Sequence, residues 1–201
     1  MKTYPSIPKD IPYGQPIYAF DKLDGSNIRV EWSKKKGFHK FGTRKRLLGS
    51  DEDILGKAYT LIEDFDRLSN IFTKQRWQDV TLFFELHGDN SFAGWHDPSD
   101  DHELTLLDVS VYKKGMLPPK EFVKLFEDKV RTAPLLYAGN ASHPFVEDVQ
   151  NGTLEGMTYE GVVCKYLLKN VHKMFKVKNQ KWIDRLKDKC GDDVKLFEQL
   201  V

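Results

Sequence analysis

A lysine beside a sharp turn, Lys22-Leu23-Asp24-Gly25, is one of three segments of this chain whose residue types could do chemistry together. The others are a carboxylate leading an apolar run, Glu160-Gly161-Val162-Val163-Cys164-Lys165, and a late pair of cations, Lys176-Val177-Lys178. These are parts for moving a nucleotide: an amine attacks a phosphorus, a carboxylate holds a metal, and cations neutralise phosphates. A lysine is nucleophilic only when neutral, which burial and neighbouring cations both favour. Lys176 and Lys178 in the pocket of Lys22 would therefore activate it while binding the phosphates it attacks. Asp24 could orient the amine or a metal-bound water, and Gly25 lets the backbone turn tightly next to a ligand. The bland alternative is an Asp-Gly hairpin with a surface lysine.

The elements that must position these residues read mostly as strands. Ile17 to Phe20 is a short apolar run delivering Lys22 to its turn. Asn27 to Trp32 alternates, with Ile28, Val30 and Trp32 on one face and Asn27, Arg29 and Glu31 on the other. Phe38 to Thr43, Thr81 to Leu86, Leu104 to Tyr112, Thr158 to Lys165 and Lys173 to Lys178 are further strands. Ile54, Ala58, Leu61, Phe65 and Leu68 repeat at three and four, which predicts an amphipathic helix over 53–70. Pro119 to Arg131 is a second helix, with Phe122, Val123, Phe126 and Val130 inward and prolines opening it. Gln180 to Lys189 and Asp192 to Leu200 close the chain as helices. With no repeat or long linker, the expectation is one α+β domain over residues 1–201, mostly antiparallel sheets with flanking helices.

Alternation poses one difficulty. It puts Glu160 with Val162 on one face of its strand and Val163 with Lys165 on the other. A bulge or twist beside Gly161 is needed to aim both Glu160 and Lys165 at one ligand.

Composition excludes several classes. The chain has 201 residues, 40% hydrophobic and 30% charged, an ordinary globular balance. No apolar run approaches the roughly 18 residues of a membrane span, and the amino terminus has no signal-peptide core. Cys164 and Cys190 form no disulfide or zinc pattern, so reduced thiols and a cytoplasmic location are expected. Net charge is only +1, but residues 34–46 hold seven lysines and arginines with no acid. Residues 165–189 hold nine, with only Asp184 and Asp188 against them. Two such patches suit a polyanion, although solvated loops and helix faces would look the same.

Two more acids stand in apolar runs, Glu85 in Leu82-Phe83-Phe84-Glu85-Leu86 and Asp108 in Leu106-Leu107-Asp108-Val109. Each needs a partner if buried: a ribose hydroxyl, a metal, or an arginine such as Arg29 or Arg44. His87 reads as a strand end rather than a ligand. Neither a P-loop nor a G-x-G-x-x-G fingerprint is present.

These motifs, in this order, resemble the covalent nucleotidyltransferase superfamily of DNA ligases, RNA ligases and capping guanylyltransferases, with its ATP-grasp-like catalytic domain. Lys22-Leu-Asp-Gly25 is similar to its first motif, Phe84-Glu85-Leu-His-Gly88 to the third and Leu107-Asp108 to the strand that follows. Glu160 to Lys165 is similar to the fourth and Lys176 to Lys178 to the fifth. Within the superfamily, Asn27, five residues after the lysine, and Thr43-Arg44 resemble the RNA-editing type of RNA ligase. The resemblance implies that Lys22 takes AMP from ATP, with Asp24, Lys176 and Lys178 also in the catalytic set. It implies that Asp21 contacts adenine through its backbone, Glu85 the ribose, and Asn27 and Arg44 the nucleotide. Val163 would pack on the base, Lys165, Lys176 and Lys178 would contact phosphates, and Glu160 would hold a divalent metal, expected to be magnesium.

Leu107 stands where the RNA-editing type has an aromatic on adenine, with Phe84 a candidate substitute. Twenty-three residues follow Lys178. That is too few for an appended OB-fold or helical domain, so Arg44, Lys45, Arg46, a second metal or an accessory protein would orient the pyrophosphate. The expected function is ATP-dependent joining of 5′-phosphate and 3′-hydroxyl ends, RNA favoured, by a monomer away from membranes. A minimal DNA ligase, a capping enzyme, and a nucleotide- or RNA-end-binding subunit needing a partner for turnover are the alternatives.

Overall fold

Strands form wherever the alternation is clear. The computed structural model describes residues 1–201 apart from the side chain of residue 64. It begins with β1 (Pro16–Asp21), β2 (Ser26–Ser33) and β3 (Gly37–Thr43). Short helices α1 (Asp53–Gly56), α2 (Ala58–Leu61) and α3 (Arg67–Lys74) lead to β4 (Asp79–His87), β5 (Glu103–Val111) and β6 (Gly115–Met116). Then come α4 (Pro119–Phe126), β7 (Leu135–Asn140), α5 (His143–Asn151), β8 (Gly161–Leu168) and β9 (Val171–Lys178). The last elements are α6 (Gln180–Cys190) and α7 (Val194–Leu200). The fold is α+β with antiparallel sheets, as expected. No helix among the described residues is long and apolar enough to cross a membrane.

The chain divides into two compact units, Met1–Ser6 with Gly25–Ala133, and Ile7–Asp24 with Pro134–Val201. The first holds a five-stranded sheet in the order β3-β2-β4-β5-β6. Register puts Ile28 opposite Phe84 and Trp32 opposite Val80, so they share a face. That face packs on the helical segment: Trp32 meets Phe72 edge-on at 5.0 Å, and Phe65 meets Phe84 at 4.9 Å. Arg29 is buried on the other side. Its guanidinium donates to the Met1 and Lys2 carbonyls and the Thr3 hydroxyl, binding the amino-terminal segment.

The second unit holds a four-stranded sheet, β7-β1-β8-β9. Ile17, Ala19, Val162, Cys164, Phe175 and Val177 form one face, packed on Phe145, Val146 and Val149 of α5. Burial of each large apolar side chain contributes about 1.5–3 kcal/mol. Burial also pushes the Cys164 thiol well up, which makes it an inert core residue. The β8–β9 turn uses Lys169 and Asn170, both at positive φ (49° and 64°), as a two-residue hairpin requires.

Three expectations change, and two elements appear that the sequence did not announce. The helix over 53–70 is instead a broken series, α1, α2, a 3-10 turn at Ile62–Phe65, and α3. Gly56, where α1 ends, is packed so that a Cβ would lie 3.0 Å from the Ser50 carbonyl oxygen. The helix from Pro119 ends at Phe126, and Val130 falls beyond it. The fourth-motif strand starts at Gly161, not Thr158, which leaves Glu160 outside the ladder. Finally, β7 and α5 carry no strong sequence period. α5 is defined by its ends: the Ser142 hydroxyl accepts from Phe145 N–H and Gly152 closes the helix at φ 74°.

Candidate active site

Register decides which side chains share a face in the second unit. Phe20 pairs with Val163, and Val163 with Lys176. Tyr18 pairs with Lys165, and Gly161 with Lys178. Residues paired across an antiparallel sheet point to the same side. Val163, Lys165, Lys176 and Lys178 therefore lie on the face opposite the α5 core. Lys22 follows in the same parity, two residues beyond Phe20, and its backbone N–H donates to the Gly161 carbonyl at 2.9 Å.

Glu160 would fall on the core face if the strand simply continued. It does not, because Gly161 adopts φ +134°. A Cβ there would lie 2.2 Å from the Val177 carbonyl oxygen, so only glycine fits. The twist anticipated beside Gly161 is thus a glycine conformation at the strand entrance. It delivers the Glu160 carboxylate to the lysine side: Oε1 is 2.8 Å from Lys22 Nζ and 2.9 Å from Lys178 Nζ. Backbone bonds fix the segment. Asn179 N–H donates to the Glu160 carbonyl, and the buried Asp21 carboxylate accepts from Thr158 N–H at 3.1 Å.

The electrostatics follow from this buried cluster. Burial pushes the Glu160 carboxyl up, but the Lys22 and Lys178 ammonium groups outweigh it and hold the acid below its ordinary value. Lys178 is pushed down to about 8, first by burial and then by the nearby Lys22 and Lys176 charges, with Glu160 opposing. Burial, with the Glu160 charge adding to it, raises the Asp21 carboxyl against the bonds it accepts from Thr158.

Aromatic faces support two of the lysines. Lys165 Nζ lies 4.4 Å from the Phe20 ring centroid and Lys178 Nζ 3.6 Å from that of Trp182. Asp24 lies in the same unit, its Oδ2 accepting from the Trp182 indole N–H at 2.6 Å. The amines of Lys176 and Lys178 also donate to the Val201 and Leu200 carbonyls at 2.8 and 3.0 Å, at the end of α7.

The remaining candidates belong to the first unit. Asn27 stands opposite Glu85 across β2 and β4, and its amide donates to the Phe84 carbonyl. Leu107 is the extra residue of a β5 bulge, since Phe83 pairs with Asp108 and Phe84 with Leu106. Asp108 is buried, as expected, but accepts from the Tyr4 hydroxyl at 2.5 Å rather than from Arg29, which binds the amino terminus. Phe84 is fully buried against Phe65, so it is a core residue and not the substitute aromatic. Arg44 is exposed, whereas Arg46 is taken up in a two-pronged pair with Glu52. Gly25 is required for a different reason than expected: a Cβ would lie 2.2 Å from the Leu86 carbonyl oxygen.

Asn179, Trp182 and Tyr4 went unread in the sequence. Asn179 had a detectable signal, an amide just before a helical run, where its side chain accepts from Lys181 N–H. Trp182 was hidden in the buried stripe Trp182, Leu186, Cys190 of α6.

Among the described residues no three His, Cys, Asp or Glu side chains gather to cage a metal. Glu160 is one buried carboxylate among lysines. That donor set fits an ion carried by nucleotide phosphates, the usual mode of magnesium, and not a permanent protein-held ion.

An antiparallel α+β architecture with a lysine turn, a carboxylate and late lysines on one sheet face defines a nucleotidyltransferase-type domain. The family model for RNA ligase matches residues 15–178, and the chain belongs to that family. No curated protein matches it. Among solved structures, an archaeal ATP-dependent RNA ligase is similar at TM-score 0.69 and 16% identity, covering 94% of this chain and 52% of that one. A Naegleria gruberi RNA ligase mutant with AMP and Mn gives 0.68 and 17%, covering 94% and 59%. The Naegleria gruberi RNA ligase with PPi gives 0.66 and 18%, covering 94% and 58%. At these identities the likeness is one of fold, and the chain spans a little over half the length of those proteins.

Proposed function

We propose that the protein is an ATP-dependent RNA ligase working through a lysyl-AMP intermediate on Lys22. The observation that carries this is the Lys22–Glu160–Lys178 cluster, which joins the first, fourth and fifth motifs within hydrogen-bond distance. Family membership supports the same reading, as do the ATP, AMP and PPi named with the similar ligases.

In the first step Lys22 Nζ, having lost its proton to solvent, forms a P–N bond to the α-phosphorus of ATP. The bond to the bridging oxygen breaks, and pyrophosphate leaves with the electron pair. AMP then passes to an oxygen of an RNA 5′-phosphate, restoring the amine. Lastly a 3′-hydroxyl attacks that phosphate, the strand is joined, and AMP leaves. Catalysis here is positioning and charge neutralisation. Glu160 holds Lys22 in place before reaction. Lys165, Lys176 and Lys178 bind phosphates, and Val163 on the same face packs on the base. Magnesium bound through Glu160 would add positive charge at the triphosphate.

Asp21, Asn27, Arg44, Glu85 and Leu107 complete the proposed nucleotide contacts, with Asn27 and Arg44 in the manner of the RNA-editing type. The exposed cations at 34–36, with Arg44 and Lys45, offer RNA a salt-sensitive surface. The enzyme is proposed to act as a cytoplasmic monomer.

Intact mass after incubation with ATP and magnesium tests the reading. One adenylate should appear, vanish in Lys22→Ala, and discharge on RNA bearing a 5′-phosphate with strand joining. An unmodified protein overturns the proposal. A stable adduct that never seals RNA restricts it to the first step.

A further inference from the structure

The indole of Trp182 is used twice. It lies in the first turn of α6 and is 1% exposed. Its in-plane N–H donates to Asp24 Oδ2 at 2.6 Å, while Lys178 Nζ lies 3.6 Å from the ring centroid. These interactions use independent parts of the ring, an edge donor and a π face, so both can hold at once. One contacts the turn that follows Lys22. The other contacts the lysine that shares Glu160 Oε1 with Lys22.

A plain core tryptophan explains the burial and the spacing to Leu186 and Cys190. It does not explain the choice of a carboxylate two residues from the candidate nucleophile as the N–H acceptor. Nor does it explain an ammonium group over the ring, itself ion-paired to the candidate metal-binding acid. A leucine would continue the apolar stripe and provide neither contact.

We propose that Trp182 is a positioning residue for adenylate transfer. Its N–H anchors Asp24 and its face seats Lys178, so one rigid side chain sets the spacing between the nucleophile turn and a phosphate-binding lysine. The proposal rests on the ligase reading and assigns separable consequences to the two contacts. The N–H governs the placement of Lys22, hence the rate of adenylation. The ring face governs the placement of Lys178, hence the hold on ATP.

Two variants separate them. Trp182→Phe keeps a ring and loses the donor, so adenylation should slow about tenfold with KM for ATP nearly unchanged. Trp182→Leu keeps an apolar side chain and loses both contacts, so KM should also rise, by about tenfold. Combining Trp182→Phe with Asp24→Ala should be no slower than Asp24→Ala alone, because both remove one bond. A readout independent of turnover is the indole ¹⁵N–H resonance that disappears in Trp182→Phe. In otherwise wild-type protein it should move upfield on Asp24→Ala as its charged acceptor is lost. Wild-type rate and KM in both folded variants, or equal losses in both, would overturn the assignment, as would an indole resonance indifferent to Asp24. If wild-type protein takes no adenylate, the ligase reading fails while the resonance still decides whether Trp182 holds Asp24.

Discussion

The two sheets depart from strand alternation by different means. β8 is entered through Gly161, whose φ of +134° throws Glu160 out of the ladder and onto the lysine face. β5 keeps its extra residue in line as a bulge at Leu107. The charges are handled differently as well. Glu160 is balanced by two ammonium groups, and the buried Asp108 accepts from the Tyr4 hydroxyl. One unit thus depends on charge balance and on a backbone shape open only to glycine. In the other, the Tyr4 hydroxyl bond and an in-line bulge mark the corresponding places.

The largest effect should come from unbalancing the charged cluster. Glu160→Ala leaves Lys178 buried without its counter-ion and should cost about 3–5 kcal/mol in urea denaturation. Glu160→Gln should cost less, since its amide oxygen still accepts. Equal losses would mean that charge is not what matters there. Next is Gly161→Ala, whose Cβ would meet the Val177 carbonyl. It should cost about 2–3 kcal/mol by thermal melting and strongly reduce the Lys22 adduct. A tolerated alanine would erase the distinction between glycine entrance and bulge. In the other unit, Tyr4→Phe should cost about 1–2 kcal/mol and leave adduct formation per folded molecule intact.

The smallest effect concerns pH. Lys178 releases its proton near 8 in the folded protein, against an ordinary 10.5. Between those values the unfolded chain binds the extra proton, so this group's contribution to stability rises with pH. ATP affinity should move the opposite way, falling about fivefold from pH 7 to 9 by calorimetry as the cation is lost. Lys178→Arg should flatten that slope.

Much of this was legible in the sequence, for definite reasons. Two-residue alternation exposed β2, apolar runs exposed β4 and β5, and the types of Lys22, Glu160 and Lys178 announced nucleotide-transfer chemistry. Parity also exposed the difficulty at Glu160, but the sign of one φ angle is not written in a glycine's neighbours. Helix periodicity over 53–70 was real and still misleading, because the segment keeps its apolar spacing while breaking after Gly56 and again through the 3-10 turn at Ile62–Phe65. Partners such as Tyr4–Asp108 and Trp182–Asp24 join residues 104 and 158 positions apart, beyond any local pattern. β7 and α5 went unseen because neither carries a strong period, and α5 is fixed by its caps at Ser142 and Gly152.

The hand change at Gly161 also bears on how this stretch can vary in length. Since the acid is supplied from outside the paired strand, residues inserted or removed between 152 and 157 need not slip β8 against β1 or β9. Val163 and Lys165 would then keep their places in the sheet. A single residue added after Gly161 would instead turn the whole strand inside out.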